Sequence, residues 1–160
     1  QTTEYAGLET CNAAAAVAGG GKGCNWGCLG LADCEDSCDF DAFFMNNDDL
    51  PVVIPGLCTA CGDCVEACPK DLFELMPMEQ KLIVQCKNLL KGDAAEDLCS
   101  VACNTCNICF AYSEPGVIEM IYNLAVINYE KKELTDPKAI SSCPTGAIVW
   151  VEGQQFVDSV

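Results

Sequence analysis

The feature that most constrains this chain is the run Cys58-Thr59-Ala60-Cys61-Gly62-Asp63-Cys64-Val65-Glu66-Ala67-Cys68-Pro69, four thiols spaced C-x2-C-x2-C-x3-C and closed by proline. Spacings this short form loops suited to chelating metal rather than to closing disulfides. In a run of this form the first three thiolates hold one 4Fe-4S cube and the fourth reaches across to a second. One copy is therefore half of a site, and the chain must supply a partner motif. Its fifteen cysteines in 160 residues are an odd number, at a density where staples rather than apolar burial hold a fold together.

Composition removes other chemistries. With no histidine, imidazole acid–base catalysis, Rieske ligation and two-Cys-two-His zinc sites are excluded, and thiolate is the one soft ligand left. The formal charge is −16. Oxidised cubes add about −2 each, so three would bring the total to roughly −22. Such a surface is unsuited to nucleic acid or anionic lipid and suited to a basic patch on a redox partner. No run of about 18 apolar residues occurs, so no direct membrane span is expected. The first residue is Gln1 rather than Met, which points to processing or to an upstream segment.

Residues 1–23 predict one short helix over Asn12 to Ala18, stopped by Gly19-Gly20-Gly21. The glycines with Lys22 do not complete a phosphate loop, because Gly23 follows the lysine. The partner motif is Cys24-Asn25-Trp26-Gly27-Cys28-Leu29-Gly30-Leu31-Ala32-Asp33-Cys34-Glu35-Asp36-Ser37-Cys38. It keeps the C-x3-C ending, but Leu31 stands where a clustered thiolate belongs, and Cys24 is expected to supply the missing ligand. A hairpin of Asp41 to Met45 and Leu50 to Ile54 leads into Cys58, and Pro69 to Met76 reads as a further strand. Crossed ligation then assigns Cys24, Cys28, Cys34 and Cys68 to one cube and Cys58, Cys61, Cys64 and Cys38 to the other.

The chain next repeats the plan. Lys81 to Gln85 is a strand ending at Cys86, residues 87–98 are helical or looped, and Cys99, Cys103, Cys106 and Cys109 follow as C-x3-C-x2-C-x2-C. Gly116 to Ile121 and Leu124 to Tyr129 form a hairpin about Tyr122-Asn123, and Cys143-Pro144 opens a last strand ending at Trp150. The position four after Cys109 is Ser113, and residues 131–139 contain no cysteine. All four ligands of one cube are thus missing together, while Cys103, Cys106, Cys109 and Cys143 remain. This lobe is expected to keep one cube, its second site filled by side chains. Cys86 reads as a buried thiol acting as a small hydrophobe, and Cys11 and Cys99 as further buried thiols or alternate ligands. The expected fold is α+β: tandem bacterial two-cluster ferredoxin-like domains with short hairpins and small helices, the second with one cluster site lost. The expected boundaries are 1–23 for an N-terminal segment, 24–80 for the first domain and 81–160 for the second.

These residues resemble the B subunit of the Rnf ferredoxin:NAD oxidoreductase complex. The resemblance rests on Tyr5-Ala6-Gly7 with Cys11-Asn12-Ala13-Ala14, the Cys-x-x-Gly-Cys-Leu-Gly-Leu segment from Cys24, Leu50-Pro51-Val52-Val53, Cys58 through Lys70, Cys86 with Lys91-Gly92, and Cys99 through Cys109. It implies a polyferredoxin that relays electrons between a ferredoxin and other redox subunits, whether flavoprotein or membrane oxidoreductase subunits. It also implies a cytoplasmic location, peripheral to the membrane through a complex. The membrane anchor and small N-terminal iron–sulfur domain of that family are not among these residues.

No nucleophile with a base, no dinucleotide fingerprint and no open metal position is evident, so the chain reads as an electron-transfer subunit and not as an enzyme by itself. About three 4Fe-4S clusters are expected, and the Asp and Glu side chains around Cys34 and Cys64 are expected to hold their potentials low. A zinc-stapled, cysteine-rich interaction module without redox activity is the rival, since four-cysteine zinc sites also use C-x2-C pairs. A thiol triplet with one distant Cys-Pro argues against it, because zinc knuckles join two paired hooks. A catalytic cluster with one non-cysteine ligand is a third reading.

Overall fold

The computed structural model describes residues 5–134 and 142–157. The chain divides into two compact units, Gln1–Leu75 with Gly153–Val160, and Met76–Glu152.

The first unit holds helix α1 (Cys11–Ala16), helix α2 (Asp33–Asp36), the hairpin of strands β1 (Phe43–Met45) and β2 (Pro51–Val53), and helix α3 (Asp63–Ala67). Helices of this length are not stable alone. Local caps and packing hold them: the Thr10 hydroxyl accepts from the Ala13 N–H, and Gly19 and Gly20, both at positive φ, end the helical course after Val17. β1 and β2 pair antiparallel with Phe44 opposite Val52. Beneath them lies a small core of Cys34, Ala42 and Phe43, joined by Cys38, Met45, Val53, Cys64 and Phe73. Phe43 and Phe73 meet edge to face at 5.4 Å, a geometry aromatic quadrupoles favour.

The second unit holds β3 (Leu82–Val84), α4 (Asp93–Glu96), α5 (Ile108–Tyr112), β4 (Ile118–Ile121), β5 (Leu124–Ile127) and β6 (Ile148–Trp150). β4 and β5 form a hairpin turned by Tyr122 and Asn123, both at positive φ, as a two-residue turn matching strand twist requires. β6 returns to pair antiparallel with β3, Leu82 opposite Trp150. Leu82, Val117, Ile118 and Ile148 are fully buried between these pairs.

The two units are one backbone plan written twice at a spacing of 75 residues. Cys11 and Cys86, Cys24 and Cys99, Cys28 and Cys103, Cys34 and Cys109, and Cys68 and Cys143 all stand 75 apart. Left-handed backbone recurs at the same spacing: Gly30 and Thr105, Ala32 and Asn107, Asp41 and Gly116, Asp71 and Gly146. The strand expected over Pro69 to Met76 is the exception. Its counterpart is β6, but residues 71–77 form no strand. The counterpart of buried Leu82 is Gly7, which offers no side chain to pack on this segment, and Phe73 turns instead onto Phe43.

Leu82→Ala should lower stability by about 2–5 kcal/mol through the cavity it leaves, read as a fall in the urea midpoint of the anaerobic protein. Leu98→Ala, at an exposed position, should move that midpoint by less than about 0.5 kcal/mol. Gly30 lies at φ 76, with a built Cβ only 2.8 Å from the Asp49 Cβ. Gly30→Ala should therefore destabilise by about 1–3 kcal/mol, whereas Ala32→Gly, which relieves a left-handed alanine at φ 63, should be neutral to stabilising by about 1 kcal/mol.

Candidate metal centre

Two small hollows sit at corresponding places in the two units. The first is lined by Cys11, Cys28, Cys34 and Cys68 with Met45 and Phe73; the second is lined by Cys103, Cys106, Cys109 and Cys143 with Met120 and Ile148. Met45 and Met120 are again 75 residues apart, as are Phe73 and Ile148, so the apolar walls correspond as well as the thiols.

The expected set Cys103, Cys106, Cys109 and Cys143 converges complete. Of the set expected in the first unit, Cys28, Cys34 and Cys68 converge, but Cys24 is not among the lining residues and Cys11 is. The Asn25 carbonyl, next to Cys24, accepts from Nζ of Lys70, itself a lining residue, at 3.0 Å. In the remaining set, Cys58, Cys61 and Cys64 lie near enough for their charges to interact, and Cys38 and Cys64 pack on the same small core. Cys58 and Cys61 are exposed. Ser113, at the position of the absent remote thiol, has its hydroxyl bonded to the Phe110 carbonyl at 3.2 Å. The other part of that expected vacant site, in residues 131–139, falls largely outside the described residues. Cys86 is half-buried, and its Sγ accepts from the backbone N–H groups of Cys103 and Asn88 at 3.3 and 3.4 Å.

Backbone geometry aims N–H groups at the sulfurs. Ala32 and Gly62, both left-handed, turn the chain into α2 and α3. Within those turns the Glu35 N–H donates to the Ala32 carbonyl at 2.8 Å and the Val65 N–H to the Gly62 carbonyl at 2.9 Å, closing the turns that carry Cys34 and Cys64, and Cys109 stands at the position in α5 that Cys34 holds in α2. The Gly30 N–H serves Cys28. Cys143 collects backbone donors from Ile148, Thr145 and Ala147, and its Sγ lies 3.7 Å from the Thr145 hydroxyl.

The electrostatics show what these hollows lack as bare protein. Burial pushes the Cys34 thiol up to about 12, and the charges of Cys28 and Cys11 push it further the same way. Cys28 is raised by burial and by Cys11 and Cys68, and Cys109 is raised to about 11 by burial with Cys103, Cys106 and Cys143 adding. Cys143 alone is lowered, because its hydrogen-bond donors outweigh the burial that opposes them. A cationic centre would favour the thiolate forms of Cys28, Cys34 and Cys109 against that burial, and an iron–sulfur core bound by four thiolates is such a centre. Among the described residues no three His, Cys, Asp or Glu side chains converge tightly enough to hold one bare ion. A tetrahedral zinc draws its sulfurs to about 2.3 Å from one point, whereas a cube of four irons spreads its ligands around a larger body. The donor set and its spread thus fit a cube.

A family profile described as a 4Fe-4S binding domain matches residues 51–74, the stretch from β2 through Cys68. The B subunit of the Na(+)-translocating ferredoxin:NAD(+) oxidoreductase complex of Acetobacterium woodii is 41% identical over 145 residues, 91% of this chain and 43% of that protein. The B subunit of the proton-translocating ferredoxin:NAD(+) oxidoreductase complex of Clostridium ljungdahlii is 38% identical over 146 residues, 91% of this chain and 51% of that protein. That of the ion-translocating oxidoreductase complex of Methanosarcina acetivorans is 36% identical over 145 residues, 91% of this chain and 54% of that protein. The chain spans about half the length of these relatives. Over about nine-tenths of its length the chain is thus similar to the B subunits of ion-translocating oxidoreductase complexes, and residues 51–74 match the 4Fe-4S binding domain.

Proposed function

We propose that this chain is an iron–sulfur electron-transfer subunit that relays single electrons through three 4Fe-4S cubes, within an oxidoreductase complex of the kind its relatives form. The observation that supports this best is the pair of equivalent hollows, each lined by four thiols. Bound there, a cube accepts and releases one electron. The residues do the rest. One cube is held by Cys28, Cys34, Cys68 and a fourth thiolate, a second by Cys38, Cys58, Cys61 and Cys64, and a third by Cys103, Cys106, Cys109 and Cys143. The second site of the second unit holds none.

Two helices link the first two cubes. Cys34 and Cys38 are four residues apart on and just beyond α2, and Cys64 and Cys68 stand likewise at α3, so each helical turn presents one thiolate to each cube. The N–H donors favour the added electron, while Asp33, Glu35, Asp36, Asp63 and Glu66 in the same turns oppose it and hold the potentials low. Exposed Cys58, Cys61 and Cys106 place edges of the second and third cubes at the surface, where electrons enter and leave. The acidic exterior suits docking on basic faces of ferredoxin, flavoprotein or membrane subunits. No helix among the described residues is long and apolar enough to cross a membrane, so attachment to one would run through such partners or through parts of a longer protein.

Anaerobically purified protein should be brown and contain about twelve irons and twelve sulfides per chain. A colourless chain loaded with zinc would overturn the proposal in favour of a structural module. Thr145→Val removes one donor from the Cys143 sulfur. It should lower the potential of one cube by roughly 20–60 mV, the one-electron equivalent of a hydrogen bond, and leave the others in place in a spectroelectrochemical titration.

A further inference from the structure

We propose that the thiolate of Cys11, not that of Cys24, completes the cube held by Cys28, Cys34 and Cys68, standing in for the thiolate that is absent at Leu31. The assignment rests on the iron–sulfur reading above and sharpens it.

The two hollows show the exchange directly. Apart from Asp33 and Pro69, which line the first alone, their walls correspond position by position, but where the second is closed by Cys106, whose counterpart is Leu31, the first is closed by Cys11. A thiol has been lost from one place on the rim and another brought to the same rim from far away in sequence. Cys24 is nearer in sequence but does not line the hollow.

The start of α1 is clamped to the two segments that bear the other ligands. The Asp33 carboxylate, next to Cys34, accepts from the Cys11 N–H at 2.7 Å, the Asn12 N–H at 3.1 Å and the Asn12 side-chain amide at 3.0 Å. That amide also reaches the carbonyl of Ala67, next to Cys68, at 3.3 Å. Cys11 is thus tied by its own backbone and its neighbour to both Cys34 and Cys68. A carboxylate accepting three such bonds is a strong tether.

The second unit lacks the clamp. The counterparts of Asp33 and Asn12 are Ile108 and Lys87, which cannot form it. Cys86, the counterpart of Cys11, instead follows β3 and takes N–H donors from Cys103 and Asn88, while Cys106 lines the hollow. The clamp therefore occurs where the usual thiolate is missing and is absent where that thiolate is present. A helix start that was merely packed would need no such matching.

The test uses the anaerobic full chain, with iron and sulfide counts and electron paramagnetic resonance of the oxidised and reduced protein. Cys24→Ala should keep the wild-type iron content and spectra. Cys11→Ala should lose about one to four irons per chain, as a cube degrades to a three-iron cluster or is lost. Leu31→Cys added to Cys11→Ala should restore the wild-type count, because it rebuilds the rim as the second unit has it. The assignment is overturned if Cys11→Ala keeps its full complement, or if Cys24→Ala loses the cube instead. Should Cys11→Ala fail to fold, the double variant decides: recovery of protein and iron supports the assignment, and no recovery overturns it. A wild-type chain without iron and sulfide would instead refute the iron–sulfur reading itself.

Discussion

Everything in this chain answers to the crowding of thiols in half-buried hollows. Sulfurs that would repel one another as anions, among them Cys34 and Cys109, whose burial favours the protonated thiol, are held together by backbone that leaves little else to pack. The apolar cores are small: one is built on Leu82, Val117, Ile118 and Ile148, the other on Cys34, Ala42 and Phe43, where a ligand thiol is itself a core residue. Short helices and three- or four-residue strands could not stand on such cores alone. The centre that neutralises the thiols therefore stabilises the fold and confers the redox chemistry at once.

The same constraint explains the left-handed residues. Bringing an N–H and a sulfur to bear on one point within a few residues requires sharp reversals, and these fall at equivalent places in both units. At Gly30 the reversal brings the backbone against Asp49, and only glycine fits. At Ala32 and Asn107 a side chain is tolerated, and the same turn into a helix is made with strain in one case and with a residue suited to it in the other.

A repeat whose copies serve separate hollows can change one copy without the other. In the first copy Leu31 replaces a thiol, and the start of α1 is drawn in by Asp33 and Asn12. In the second, Ser113 replaces a remote thiol and the paired strands β3 and β6 take a larger share of the core. One unit leans on ligands and the other on a sheet. Where the second unit buries Leu82, the first has the exposed Gly7.

Much of this is legible in the chain itself. C-x2-C-x2-C spacing makes iron–sulfur ligation the natural reading because loops of two residues allow little else, and alternation of apolar residues places both hairpins to within two residues at each end. The strand expected after Cys68 does not form, since its apolar pattern is that of β6 but its partner segment begins at Gly7. A constant spacing of 75 residues exposes the equivalence of Cys11 and Cys86, and with it the fact that Cys24 and Cys99 stand together outside the thiols that line the hollows. By itself the sequence determined the kind of centre, because ligand chemistry and local spacing are short-range properties. Only the tertiary structure decided which distant thiol closes the first hollow, because that depends on hydrogen bonds from Asn12 to Asp33 and Ala67 that span 21 and 55 residues.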